Sequence, residues 1–233
     1  MQKSSAGNIL IMQSGGCTPV INRSLRAAVE EITELNLGNN ILGAHFGLEG
    51  LLQGQFIDLG RISKSKWDAI AQTPGAALGS TRRKLTEADE SILLKILKEK
   101  DIRFLFIIGG NDSATTGEKI NQLAKSNSHR MTIINIPKTI DNALVKTDHS
   151  PGYGSAARFV ALATMGSARD AESMSKSAPI TLIEVMGRDS GWLASASALA
   201  KREEKDGPHL IYVPEIPVNE NHFLSSVKST YDE

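Results

Sequence analysis

Cysteine, net charge and long apolar runs are what this sequence is short of. Its one cysteine, Cys17, excludes an internal disulfide and any cysteine-based zinc cluster, and it fits a reducing compartment. Lys+Arg and Asp+Glu each number 26, so no overall field draws the chain to nucleic acid or to a membrane, and an anionic ligand must be held by a local cluster. No apolar stretch approaches the roughly 20 residues that span a bilayer, and the polar start Met1-Gln2-Lys3-Ser4-Ser5 lacks the apolar core of a signal peptide. The expected location is the cytoplasm. His45, His129, His149, His209 and His222 show neither i,i+4 pairing nor an HExxH pattern, which argues against a histidine metal site. Repeats and low-complexity tracts are missing as well.

What is present is a chain of 233 residues, 40% apolar, enough to bury a large core. Short apolar runs alternate with longer segments of helical period, the pattern of a parallel sheet covered on both faces. Strands are expected at 8–13, 41–46, 104–108, 132–136, 180–185 and 209–213. Helices are expected after Pro19 through Ile21, Leu25, Ala28 and Ile32, over 86–100 with Thr86 as N-cap, over 155–172 and over 192–201. Each chemically suggestive segment then falls directly after a strand, where open α/β sheets bind their ligands. A domain change is expected near Ser150-Pro151-Gly152-Tyr153-Gly154, where glycine and proline interrupt the alternation.

Five segments carry chemistry. Ser14-Gly15-Gly16 allows a phosphate to approach the backbone near a helix start, although many doubly wound proteins need glycine there merely to turn. Cys17, beside it, reads as a small residue filling that turn rather than as a nucleophile, since no base is adjacent. Arg82-Arg83-Lys84 follows a Gly-Ser turn and is either a phosphoryl clamp or a solvated basic loop. Gly110-Asn111-Asp112-Ser113 offers a carboxylate and an amide for a metal or a donor, or simply a helix N-cap.

Lys138-Thr139-Ile140-Asp141 is the strongest. A lysine and an aspartate three residues apart can neutralise phosphate charge and accept a hydroxyl proton, the alternative being a surface ion pair. Glu184-Val185-Met186-Gly187-Arg188-Asp189-Ser190-Gly191-Trp192 adds two glycines and an arginine suited to a substrate phosphate. Together these look like the parts of a sugar-phosphate kinase.

Taken in order, the blocks resemble the 6-phosphofructokinase family: Gly15 to Asn22, Leu78 to Arg82, Gly109 to Ser113, Pro137 to Asn142, Pro151 to Gly154, Glu184 to Trp192 and Val213-Pro214-Glu215. The resemblance runs from Asn8 to about Glu215. It implies an α/β protein of two similar Rossmann-like three-layer domains with mostly parallel sheets. It also implies Mg²⁺ and phosphoryl transfer to the 1-hydroxyl of fructose 6-phosphate, giving fructose 1,6-bisphosphate in glycolysis.

Carried over by position, Asp141 matches the family's general base, with Thr139 and Ile140 in the same substrate loop. Met186, Gly187 and Arg188 match the segment that holds fructose 6-phosphate, and Gly15 and Arg82 match donor-phosphate contacts. Asp112 and Lys138 stand where ATP-using members have glycine. They match pyrophosphate-using members, with Asp112 excluding the α-phosphate of ATP and Lys138 stabilising the leaving phosphate.

Asn111 stands where the commonest pattern has a metal-binding aspartate, and Ala143 replaces another acid. Both changes would weaken Mg²⁺ binding. Family chains continue beyond residue 233, which implies an N-terminal fragment: residues 1–152 a donor domain lacking its C-terminal return, and residues 153–233 the beginning of a fructose 6-phosphate domain. A homo-oligomer is implied, though Pro179 occupies the region where some members place an arginine that reaches a neighbour. The competing readings are an ATP-dependent enzyme and a noncatalytic or regulatory member.

Overall fold

The run Asn8–Gln13 forms strand β1, and its alternation sets the layering. Leu10 and Met12 enter one apolar cluster while Ile9 and Ile11 enter another, because successive side chains of a strand point to opposite faces. The structure is a computed structural model describing residues 7–232. In it the chain divides into two units, Met1–Lys138 and Thr139–Glu233.

In the first unit, β2 (Ile41–Ala44), β3 (Phe56–Asp58), β4 (Ile102–Gly109) and β5 (Thr132–Pro137) join β1 in a five-stranded sheet of order β3-β2-β1-β4-β5. Every pairing is parallel except that of β2 with the short edge strand β3. Helices α1 (Ile21–Glu34), α2 (Leu48–Leu52), α3 (Lys64–Gln72), α4 (Glu87–Glu99) and α5 (Asn111–Ser126) flank it. Ile21, Leu25, Val29 and Ile32 of α1 pack with Trp67 of α3 on one face; Leu48, Leu51, Leu93, Leu97 and Ile120 cover the other. Each such fully buried aliphatic side chain contributes about 1.5–3 kcal/mol. This is an α/β fold with a mixed, mostly parallel sheet.

Two local features match the sequence closely. Helix α1 begins at Ile21, shortly after Pro19. Thr86 caps α4, its backbone N–H and hydroxyl both donating to Asp89 Oδ2, at 3.1 and 2.8 Å, which satisfies part of the helix end. The sheet order places a topological switch between β1 and β4, since β2 lies on one side of β1 and β4 and β5 on the other. Ligands of such sheets bind outside the carboxyl ends at that point.

In the second unit, α6 (Tyr153–Ser173), α7 (Trp192–Ala196) and α8 (Glu220–Asp232) form. Ala157 and Val160 of α6 pack with Leu193 and Ala196 of α7. The runs 180–185 and 209–213, expected as strands, are not strands, and among the described residues nothing pairs with them. Leu182 is 77% exposed. An apolar run becomes a strand only when a partner supplies its ladder of hydrogen bonds.

Candidate active site

At the carboxyl end of β1 the chain turns through Ser14-Gly15-Gly16. Ser14 N–H donates to Ile108 O and Gly15 N–H to Thr81 O, both at 3.0 Å, and Ser80 Oγ donates to Gly15 O. Lys138 follows β5 and is only 2% exposed. Its ammonium donates to Ser14 O at 2.8 Å and to Gly16 O at 2.7 Å. A Cβ at Gly15 would lie 3.3 Å from Lys138 Nζ, and one at Gly16 would lie 3.9 Å from a guanidinium nitrogen of Arg82. The fold therefore gathers Gly15, Arg82 and Lys138 at one glycine turn on the switch point, a backbone-and-cation arrangement suited to a phosphate.

Of the other two cations in the basic loop, Arg83 is committed elsewhere. It bridges Glu49 Oε1 at 3.1 Å and Asp89 Oδ1 at 2.6 Å. Hydrogen bonds from the Thr86 hydroxyl and then its backbone N–H, with Arg83 adding to them, hold the Asp89 carboxyl below its ordinary value.

Asn111 and Asp112 are exposed in the first turn of α5, with Gly110 at the N-cap. Neither serves as the cap, and a carboxylate there sits at the positive end of the helix dipole. Gly109 permits this entry: a Cβ on it would collide with Ser113 Oγ and lie 3.3 Å from Ser14 O. The turn after β4 thus packs directly on the turn after β1.

The residues expected to hold the acceptor belong to the second unit. Asp141 N–H donates to Thr139 Oγ1 at 3.2 Å, and Asp141 O accepts from Ser190 Oγ at 2.7 Å. Asn142, at φ +56°, accepts from Ser150 N–H at 2.7 Å and donates to Asp148 O at 3.1 Å, closing the loop that follows. Ile140 packs against the cluster of Ala157 and Leu193, so its side chain serves the core.

Gly187, at φ +130°, admits no side chain, because a Cβ would strike Ser190 O. On either side Met186 and Arg188 are exposed, with Arg188 Nε on Asp189 Oδ2 at 2.8 Å. Gly191 N–H donates to Glu215 Oε1 at 2.8 Å, which anchors the segment at the start of α7. Ser190 thereby joins Met186, Gly187 and Arg188 to Thr139 and Asp141. Its role was invisible in the sequence; the only hint is a serine flanked by the motif's second glycine.

Among the described residues no group of three or more His, Cys, Asp or Glu can enclose a metal. The donor set still fits Mg²⁺, which keeps several waters and binds through substrate phosphates plus one or two protein oxygens; Asn111 and Asp112 offer such oxygens. Nor, among the described residues, is any helix long and apolar enough to cross a membrane.

Residues 8–233 match the family model described as phosphofructokinase. The chain belongs to the phosphofructokinase family. Over 226 residues it is 41% identical to the pyrophosphate–fructose 6-phosphate 1-phosphotransferase of Rhodospirillum rubrum, covering 97% of this chain and 55% of that protein. It is 39% identical over 228 residues to the protein of the same name from Xanthomonas campestris, covering 95% and 54%. The crystal structure of a pyrophosphate-dependent phosphofructokinase from Marinobacter aquaeolei superposes with a TM-score of 0.83 at 35% identity, covering 97% of this chain and 58% of that one. The chain thus spans little more than half the length of these phosphofructokinase relatives. The family resemblance drawn from the motifs holds, and so does the α/β architecture.

Proposed function

We propose that this phosphofructokinase chain serves transfer of a phosphoryl group from pyrophosphate to the 1-hydroxyl of fructose 6-phosphate. The P–O–P bond breaks to release orthophosphate, a new P–O bond forms on the sugar, and Asp141 takes the hydroxyl proton. The observation that carries the choice of donor is the buried Lys138 ammonium on the Ser14 and Gly16 carbonyls. A cation fixed under the turn stabilises charge on a leaving phosphate without having to reorganise. Asp112 adds bulk and negative charge at the start of α5, unfavourable for the further phosphate of ATP.

In this reading Gly15 and Arg82 contact the donor, while Thr139, Ile140 through its backbone, Met186, Gly187 and Arg188 hold the sugar phosphate. Apart from the loop 139–141, residues 1–152 serve the donor, and residues from 153 serve the sugar phosphate, in two similar Rossmann-like domains. Asn111 and Asp112 would hold Mg²⁺ together with the donor's oxygens, and the ion would supply neutralisation of phosphate charge. The working protein is a homo-oligomer. Assay of fructose 6-phosphate phosphorylation by the full-length protein, with pyrophosphate and with ATP in turn, tests the proposal. Pyrophosphate supports turnover; a clear preference for ATP would overturn the roles of Asp112 and Lys138, and no turnover with either donor would favour a noncatalytic member.

A further inference from the structure

Residues 73–86 have no helix or strand of their own, yet this stretch delivers Arg82. Its backbone amides and carbonyls must find partners elsewhere. Two buried side-chain amides supply three of them. Gln13, the last residue of β1, is 0% exposed and Asn22, in the first turn of α1, is 2% exposed.

Gln13 Oε1 accepts from Leu78 N–H at 2.9 Å, while its Nε2 donates to Asn22 Oδ1 at 3.1 Å and to Ile21 O at 3.4 Å. Asn22 Oδ1 also accepts from Ala77 N–H at 2.8 Å, and Asn22 Nδ2 donates to Thr73 O at 2.9 Å. Only one orientation of each amide satisfies all of these, so the network has a single arrangement. Just beyond it, Ser80 Oγ and Thr81 O grip Gly15.

We propose that Gln13 and Asn22 are positioning residues for the phosphoryl donor. They bolt Thr73, Ala77 and Leu78 to the β1–α1 junction, and so fix Arg82 relative to the Gly15 turn. Apolar side chains would fill the same space, but they would leave the buried Leu78 N–H and the neighbouring Ala77 N–H without their amide acceptors and let the loop drift. Neither residue needs to touch substrate; each acts through the loop. The proposal rests on the donor site described above.

The test uses Gln13→Met and Asn22→Leu in the full-length protein, with Arg82→Ala as the control for the site itself. Both amide variants should raise KM for pyrophosphate about tenfold, the scale of an unmade buried hydrogen bond, while KM for fructose 6-phosphate stays within about twofold. A merely structural role moves neither KM and only lowers the active fraction, and that result overturns the proposal. Should Arg82→Ala leave KM for pyrophosphate unchanged, the donor site itself is misplaced. If Arg82→Ala raises it and the amide variants do not, only the positioning role falls. Should the variants fail to fold, hydrogen exchange on the unmodified protein decides: the amides of Ala77 and Leu78 should exchange as slowly as those of β1, and rapid exchange overturns the proposal.

Discussion

Ser190 donates its hydroxyl to the backbone carbonyl of Asp141 at 2.7 Å, so the segment offered to the sugar phosphate and the residue offered as base are mechanically joined. Thr139 holds the same aspartate from its amide side. A general base works only if its carboxylate is within hydrogen-bond reach of the proton it takes, and small displacements are costly. Fixing the backbone on both sides leaves the carboxylate only its side-chain rotations.

Ser190→Ala should therefore lower kcat about tenfold while reducing stability by only about 1 kcal/mol, the net worth of one hydrogen bond. Ser190→Thr keeps the hydroxyl and should recover most of the turnover. Steady-state kinetics and thermal unfolding on both variants check this. Equal kcat in Ser190→Ala and the parent would uncouple the two segments.

Lys138 combines two roles, and the mutants should reveal both. Lys138→Met leaves the Ser14 and Gly16 carbonyls without the ammonium, at a cost of about 1–3 kcal/mol for each group left unpaired. Tm should fall and kcat/KM for pyrophosphate should fall further than folding alone explains. Adding Asp112→Gly to Lys138→Gly should shift the ATP to pyrophosphate ratio of kcat/KM toward ATP by at least about tenfold. An unchanged ratio removes both residues from donor selection.

How much of this was legible in the sequence depended on how local its cause was. Strand β1 was legible to the residue because Ile9, Leu10, Ile11 and Met12 are apolar on both faces. Thr86 was legible as a cap because its partner, Asp89, is one turn away. The edge strand β3 was not, since three residues gain their conformation only from pairing with β2. Ile180 to Val185 carried the signal of a buried strand, and nothing among the described residues pairs with it.

The chemistry-bearing motifs were named from sequence, but the side chains that aim them were not. Gln13 reaches across 65 residues to Leu78, Asn22 across 55 to Ala77, and Ser190 across 49 to Asp141. No local period encodes such pairings.

Asp89 gives a prediction in pH. Its carboxyl is held below the ordinary 3.8 by the Thr86 hydroxyl and backbone N–H, and by Arg83. A lowered folded-state value means that the stabilisation is fully present above the unfolded value and is lost as pH falls through the folded one. Acid unfolding followed by circular dichroism should thus draw on Asp89 below about pH 4. Asp89→Asn should flatten that part of the curve and lower Tm at neutral pH. An identical acid limb in the variant would show that Asp89 takes no part.

The proposed mechanism stands most directly on Asp141. Within its own unit the backbone of Asp141 is held by Thr139 and Ser190, and neither bond involves the carboxylate. Asp141→Asn should for that reason preserve the loop, the Tm and most of the affinity for fructose 6-phosphate. It should nevertheless lower kcat by about 10² to 10⁴, because the sugar hydroxyl must then attack without a proton acceptor. A structural role for the carboxylate predicts the reverse, a lowered Tm with turnover largely kept. Measuring kcat, KM and thermal unfolding on the same full-length variant separates the two, and near-normal turnover would take Asp141 out of the mechanism.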